Sequence, residues 1–283
     1  MKYLSVLWLV VFLLIPAYAE VVPWADDWTN AAYYSTNGER NNFNSFNIRS
    51  EGRFGVHLIE LTPGVNLDPY VIYQGIYSTS DPNYWNNQLA WGAGLRTHPF
   101  AQFMGDSWAN EWVKDIKLFV EVLSLSFFKD QTTAQANNVK LHDTRFGMDL
   151  WHEWNLKDIN TAVPWNEMWT NLSFRETDLT EPRYFTRTYL LYLRNRLGVH
   201  MAGGLRPYII TDLTYAGNST AWYNSLYYGI GARVEPFREA KDPPELLRKF
   251  KMFIEVLGIS WLKDKGSRPT SDLRFGVDFT FGR

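Results

Sequence analysis

Apolar and polar residues alternate with a period of two along most of this chain. In 271–282, Leu273, Phe275, Val277, Phe279 and Phe281 fall on one face, and Asp272, Arg274, Gly276, Asp278 and Thr280 on the other. In 88–97, Leu89, Trp91, Ala93 and Leu95 oppose Ala90, Gly92, Gly94 and Arg96. In 117–123, Leu118, Val120 and Val122 oppose Lys117, Phe119, Glu121 and Leu123. A period of two is the mark of a strand with two unlike faces. The pattern predicts strands over 27–35, 43–60, 68–78, 86–98, 115–128, 141–154, 165–176, 183–201, 205–215, 222–235, 249–262 and 271–282. Turn signals such as "TNGERNN", "TSDPN" and "KGSRPTS" separate them.

The twelve segments fall into two sets of six. "PWADDWTN" at 23–30 returns as "PWNEMWTN" at 164–171, and "RFGVH" at 53–57 as "RLGVH" at 196–200. "DPYVIY" at 68–73 returns as "RPYIIT" at 206–211, and "WGAGLRTHPF" at 91–100 as "YGIGARVEPF" at 228–237. "KLFVEVLSLSFFKD" at 117–130 returns as "KMFIEVLGISWLKD" at 251–264, and "DTRFGMD" at 143–149 as "DLRFGVD" at 272–278. The offset starts at 141, rises to 143 and falls to 129, and the order never changes. The slippage sits between blocks, where loops belong. The chain therefore reads as two repeats, about 23–155 and about 164–283.

A soluble sandwich would bury its apolar face and show a mixed one. Here the second face repeatedly carries glycine and charge with little bulk. An apolar face toward lipid and a polar face toward a lumen account for that, and closure leaves no unpaired edge. The expected fold is all-β: a twelve-stranded antiparallel transmembrane β-barrel. Trp24, Trp28, Trp85, Trp151, Trp154, Trp165, Trp169 and Trp222 lie near segment ends and are expected to form interfacial girdles.

Composition narrows the setting. Lys2, the apolar run "YLSVLWLVVFLLI" and "AYA" at 17–19 read as a signal peptide over 1–19, with the barrel in 20–283. The chain has no cysteine, which excludes disulfides and a lipoprotein anchor. A formal charge of -2 gives no electrostatic reason to expect nucleic acid. Together these place the protein in the outer membrane of a Gram-negative bacterium, in contact with membrane lipid. None of His57, His98, His142, His152 and His200 is followed two residues on by serine, and "HEWN" fails the zinc pattern His-Glu-x-x-His. No enzyme activity, metal or cofactor is expected.

Charges that recur in both repeats are the candidate site. Arg53, Arg96 and Arg145 return as Arg196, Arg233 and Arg274. Lys117, Glu121 and Asp149 return as Lys251, Glu255 and Asp278. A lipid-facing Arg or Lys costs about 2–4 kcal/mol at mid-membrane, so this network belongs in the lumen. Glu121 is expected to meet Arg96 and Arg145, and Glu255 to meet Arg233 and Arg274. Such a network either braces a narrow lumen or forms a polar track for a solute, with Tyr70, Tyr208 and Trp151 as sugar-stacking surfaces.

The order "PWxxxWTN", an "RxGV" strand, "PY(V/I)I", "GxGxRxxPF", "K(L/M)F(V/I)EVL" and "DxRFGxD" resembles the C-terminal barrel of bacteriophage-adsorption outer-membrane proteins and related exopolysaccharide-export barrels. The final "RFGVDFTF" also resembles the closing-strand signal of outer-membrane barrels. The resemblance implies passage or export of a polysaccharide or oligosaccharide, with use as a phage receptor. The alternatives are a narrow solute porin and a lumen-plugged structural barrel. Relatives of this kind carry a periplasmic helical-repeat scaffold. Few residues separate the cleavage site from the first strand, so the scaffold is expected as a separate periplasmic protein; the long loops at 99–114 and 236–248 either rest on the inner interface or contact such a partner.

Overall fold

A computed structural model describes residues 22–36, 44–62, 65–81, 86–101, 112–129, 142–155, 163–177, 187–217, 224–237, 240–241, 243–263 and 270–281. The signal peptide reading, Trp85 and Trp222 lie outside these residues. The strands are β1 (Val22–Thr36), β2 (Ser45–His57), β3 (Ile59–Thr62), β4 (Val65–Ser78), β5 (Gln88–Thr97), β6 (Ile116–Phe127) and β7 (His142–Asn155). They continue as β8 (Val163–Thr177), β9 (Thr188–His200), β10 (Leu205–Ala216), β11 (Ser225–Val234), β12 (Phe250–Trp261) and β13 (Ser271–Phe281).

Every strand pairs antiparallel with its sequence neighbour, and β1 pairs with β13. β2 skips the four-residue β3 to pair with β4. The result is a closed ring of twelve strands. The segment expected as one strand over 43–60 is divided into β2 and β3. Gly55 stands opposite Tyr70, but Ile59 stands opposite Leu67, so an extra residue enters this strand near Leu58. That is a bulge, and it lets the strand bend at the barrel rim.

The faces sort as alternation requires. Leu118, Val120 and Val122 on β6 are exposed outward, as are Met252, Ile254 and Val256 on β12 and Phe54, Val71, Ile209 and Phe275 elsewhere. Between them, Glu121 is 1% exposed while its neighbour Val120 is 50% exposed. A soluble protein does not wrap itself in apolar side chains and bury its charges. This barrel is inside-out, with the exterior of a body solvated by lipid. Among the described residues no helix is long and apolar enough to cross a membrane.

Register places the candidate residues in rows. Tyr70 stands opposite Gly94, Gly94 opposite Glu121, and Glu121 opposite Arg145. In β10–β13 Tyr208 stands opposite Gly231, Gly231 opposite Glu255, and Glu255 opposite Arg274. The proline-led "PPELLRKF" holds one helical turn, Glu245–Arg248, beside the end of the barrel where β1 begins.

Candidate functional site

The rows explain how the lumen charges meet. A Cβ on Gly94 would lie 2.5 Å from the Tyr70 ring, so only glycine lets that ring cross β5. The Tyr70 hydroxyl then donates to Glu121 Oε1 at 2.8 Å. Arg53 Nε donates to the same oxygen at 3.3 Å, and Arg145 Nη1 stands 4.0 Å from Oε2. Gly231 yields to Tyr208 in the same way, and Tyr208 donates to Glu255 Oε1 at 2.9 Å. Arg196 Nη2 donates there at 3.1 Å, and Arg274 Nη1 stands 3.9 Å from Oε2. Isolated burial of such charges is expensive, and here each has partners.

Arg96 and Arg233 do not serve these glutamates. Arg96 Nη1 donates to Asp26 at 2.7 Å and its guanidinium lies 3.3 Å over the Trp24 ring. Arg233 donates to Glu167 at 3.0 Å. The glutamates take Arg53 and Arg196 in their place. Neighbouring strands are not the only reach in a narrow barrel: a long side chain spans the lumen to strands several positions away. Lys117 faces Asp149 across β6–β7, and Lys251 faces Asp278 across β12–β13. Asp149 accepts from Trp169 Nε1 at 2.8 Å, and Asp278 from Asn30 at 2.6 Å.

Several members were missed in the sequence, though their signals stood in the quoted blocks. Asp26 and Glu167 occupy one position of "PWADDW" and "PWNEMW". Asp143 and Asp272 open the two "DxRFG" motifs and hold Arg145 and Arg274 at 2.5 and 2.6 Å. Arg194 and Asp212 pair at 2.7 Å on β9 and β10.

The tryptophan girdle needs correction. Trp154 is exposed outward, but Trp165 is fully buried inside, 5.7 Å from the Tyr208 ring. Trp24 packs inside on Tyr70 at 5.7 Å. Trp28 and Trp169 meet ring to ring at 5.8 Å. Their strands, β1 and β8, are separated by five strands in either direction around the ring. The pair therefore crosses the lumen. Parity held the clue, because Trp24 and Trp28 share the face of Asp26. Tyr70 and Tyr208 are buried with hydroxyls committed to glutamate, so neither offers an open stacking face. Trp151 shares the face of Asp149 by alternation.

A second cluster lies at the end where β1 begins. Asp68, fully buried, shares a hydrogen bond with His57 Nδ1 at 2.7 Å and has His98 Nδ1 at 3.9 Å. His98 sits just past β5. Burial, then Arg96, Lys117 and His57, push its pKa down to about 4. At the same end Arg206 donates to Glu235 at 2.5 Å. Among the described residues no group of three or more histidines, aspartates or glutamates is placed to hold a metal ion.

The lumen at mid-height is thus filled with paired charge and aromatic rings. A small cavity remains, lined by residues that include Trp28, Tyr34, Arg49, Arg194 and Arg274.

No family model matches this chain, and no curated protein matches it. Among solved structures it is similar to an outer membrane channel from Pseudomonas putida F1, at 12% identity and a TM-score of 0.41, over 94% of this chain and 99% of that one. It is similar to the beta domain of the Bordetella autotransporter BrkA at 11% identity and 0.34, over 93% and 100%. It is similar to the KdgM porin, solved in complex with disordered oligogalacturonate, at 10% identity and 0.32, over 91% and 99%. At such scores none of them informs the role of a residue here.

Proposed function

We infer that this chain is an internally duplicated outer-membrane barrel of a Gram-negative bacterium that passes or exports a saccharide through a constricted lumen. The observation that carries the reading is the pairing of an apolar exterior with a lumen of arginines, carboxylates and aromatic rings. Saccharides are recognised by that combination: aromatic faces take the apolar side of a sugar ring, and charged groups take its hydroxyls. The termini face the periplasm in this reading. The loops at 99–114 and 236–248 then point to a periplasmic protein partner, and the opposite rim is the surface a phage would use.

The Trp28–Trp169 contact favours a second reading, a lumen-plugged structural barrel. One experiment separates them. Purified protein in liposomes is expected to admit a neutral trisaccharide, read as osmotic swelling. Trp28→Ala with Trp169→Ala should raise the rate severalfold. No swelling in either form supports the plugged barrel and sinks the conduit. The protein should also be recovered from outer membranes and migrate differently on a detergent gel before and after boiling.

A further inference from the structure

The outer wall is mostly apolar, and the outward row through Asp27 breaks that rule. Asp27 stands opposite Gly52 on β2 and Phe281 on β13, so alternation points it outward with Phe54 and Phe281, both exposed. Tyr73 on β4 faces the same Gly52, which leaves room for its ring to cross β2, and its hydroxyl donates to Asp27. Thr29 Oγ1 donates to the other carboxylate oxygen at 3.2 Å and lies 2.8 Å from Ser50 Oγ, itself 3.2 Å from the Tyr73 hydroxyl. Ile48 and Phe54, exposed on either side of this cluster along β2, place it within the lipid-facing band. Each carboxylate oxygen accepts one hydroxyl and keeps a further lone pair. Among the described residues no arginine or lysine pairs with Asp27. Hydrocarbon offers a carboxylate no donor, so an ionisable side chain at this depth calls for a polar partner.

The opposite wall carries the complement. β8 and β9 pair in the register of β1 and β2: Met168 faces Asn195 as Asp27 faces Gly52. Asn195 shares the outward face of Leu197, which is exposed. Its side-chain oxygen accepts from Asn166 at 2.7 Å, and among the described residues its amide nitrogen has no hydrogen bond. Trp28 and Trp169 meet across the lumen, so the rows of Asp27 and Asn195 lie at one depth. The walls β1–β2 and β8–β9 stand on opposite sides of the ring. Acceptors on one wall and a donor on the other, at one depth, fit two copies lying side by side in one bilayer. Polar side chains at membrane interfaces hydrogen-bond across them in this way.

We propose that this chain associates with copies of itself into rows in the membrane plane, the Asp27 patch of one copy accepting from Asn195 of the next. A contact between opposite walls relates neighbours by translation, so it propagates and does not close into a ring. Contact between like patches would instead set carboxylate against carboxylate.

The test is cross-linking in outer membranes that carry the full-length protein. The chain has no cysteine, so introduced pairs report alone. Ala25 and Leu197 flank the two patches at matched levels, since Ala25 faces Phe54 as Asn166 faces Leu197. Ala25→Cys with Leu197→Cys, oxidised with copper-phenanthroline, is expected to give a ladder of dimer, trimer and higher species on a non-reducing gel. Val120→Cys with Leu197→Cys, equally lipid-facing, should give no ladder, and neither Ala25→Cys nor Leu197→Cys alone should give dimers. Adding Asp27→Leu or Asn195→Leu should each lower the cross-linked fraction by about fivefold or more. Both put an apolar side chain where lipid is the alternative neighbour, so heat-modifiability should stay at the wild-type level. Asn195→Ala, which removes the amide without added bulk, should act in the same direction. No ladder, an equal ladder from the Val120 pair, dimers from either single variant, or cross-links to a different protein each overturns the proposal. So does a ladder that survives the changes at Asp27 and Asn195.

Discussion

Two arginines on matched strands, Arg96 on β5 and Arg233 on β11, solve one problem differently. Each lies inside the barrel over a tryptophan, at 3.3 Å from Trp24 and 5.2 Å from Trp165. Each is held by an acid on a distant strand, Asp26 or Glu167. The residue opposite differs in sign. Arg96 faces Asp68, whereas Arg233 faces Arg206. Like charges directly opposite are unfavourable, and Glu235 answers by holding Arg206 at 2.5 Å. Where the first cluster has His98 near Asp68, the second has Glu235 against Arg206. The residue opposite the arginine, Asp68 or Arg206, and the residue that answers it, His98 or Glu235, differ together. What is constrained is local compensation, and the individual signs are free to exchange.

The largest test of that comparison is at the arginines. Arg96→Met removes the 2.7 Å bond to Asp26, whose contact to Arg53 is longer at 3.7 Å, and leaves Asp68 facing two histidines. Removing one side of a buried pair costs about 3–5 kcal/mol. Arg233→Met should cost less. Glu167 keeps Arg196 at 2.8 Å, and the repulsion with Arg206 disappears. Urea midpoints in micelles read the difference, and equal losses would break the comparison.

The glutamates should behave alike. Glu121→Gln and Glu255→Gln each strip charge from one tyrosine-and-arginine cluster, at about 1–3 kcal/mol. Among the described residues the two clusters share no hydrogen-bond or ion-pair partner, so the double variant should be additive within about 0.5 kcal/mol. Strong non-additivity would mean that they form one network.

The smallest effect is a pH slope. His98 has a folded pKa near 4, below its ordinary 6.5. Protons therefore favour the unfolded chain, and this contribution to stability is full above pH 6.5 and fades as the pH falls toward 4. His98→Asn should flatten the melting temperature across that window, while Glu235→Gln should steepen it, because burial pushes the Glu235 carboxyl up to about 7 and its proton uptake favours the folded chain as the pH falls. An unchanged slope in His98→Asn would detach the effect from this cluster.

Most of the strand pattern could be read from alternation alone, because a one-residue error would have turned Glu121 toward lipid. The lumen side of Arg53, Arg96, Arg145 and their counterparts was legible for the same reason. Their partners were not. Pairing of neighbours is local, but closure sets which distant strands share a level, and the tilt of the strands in a barrel decides that. Hence Glu121 on β6 meets Arg53 on β2, and Arg96 on β5 meets Asp26 on β1. The inward tryptophans were misread because aromatic residues near strand ends suit both an interface and a lumen. Only the parity of Asp26 separates the two.

The hydrogen bond from Asn30 to Asp278 joins the first strand of the ring to the last. Its consequence lies in how such a barrel is sealed. When β13 arrives at β1, many alignments offer the same number of backbone bonds. A slip by one residue turns every side chain of the strand over and would set Arg274 and Asp278 into lipid, at about 2–4 kcal/mol for the arginine alone. The polar interior thus works as a combination lock. It has no hold on the backbone, yet it admits one alignment of the final seam and rejects its neighbours.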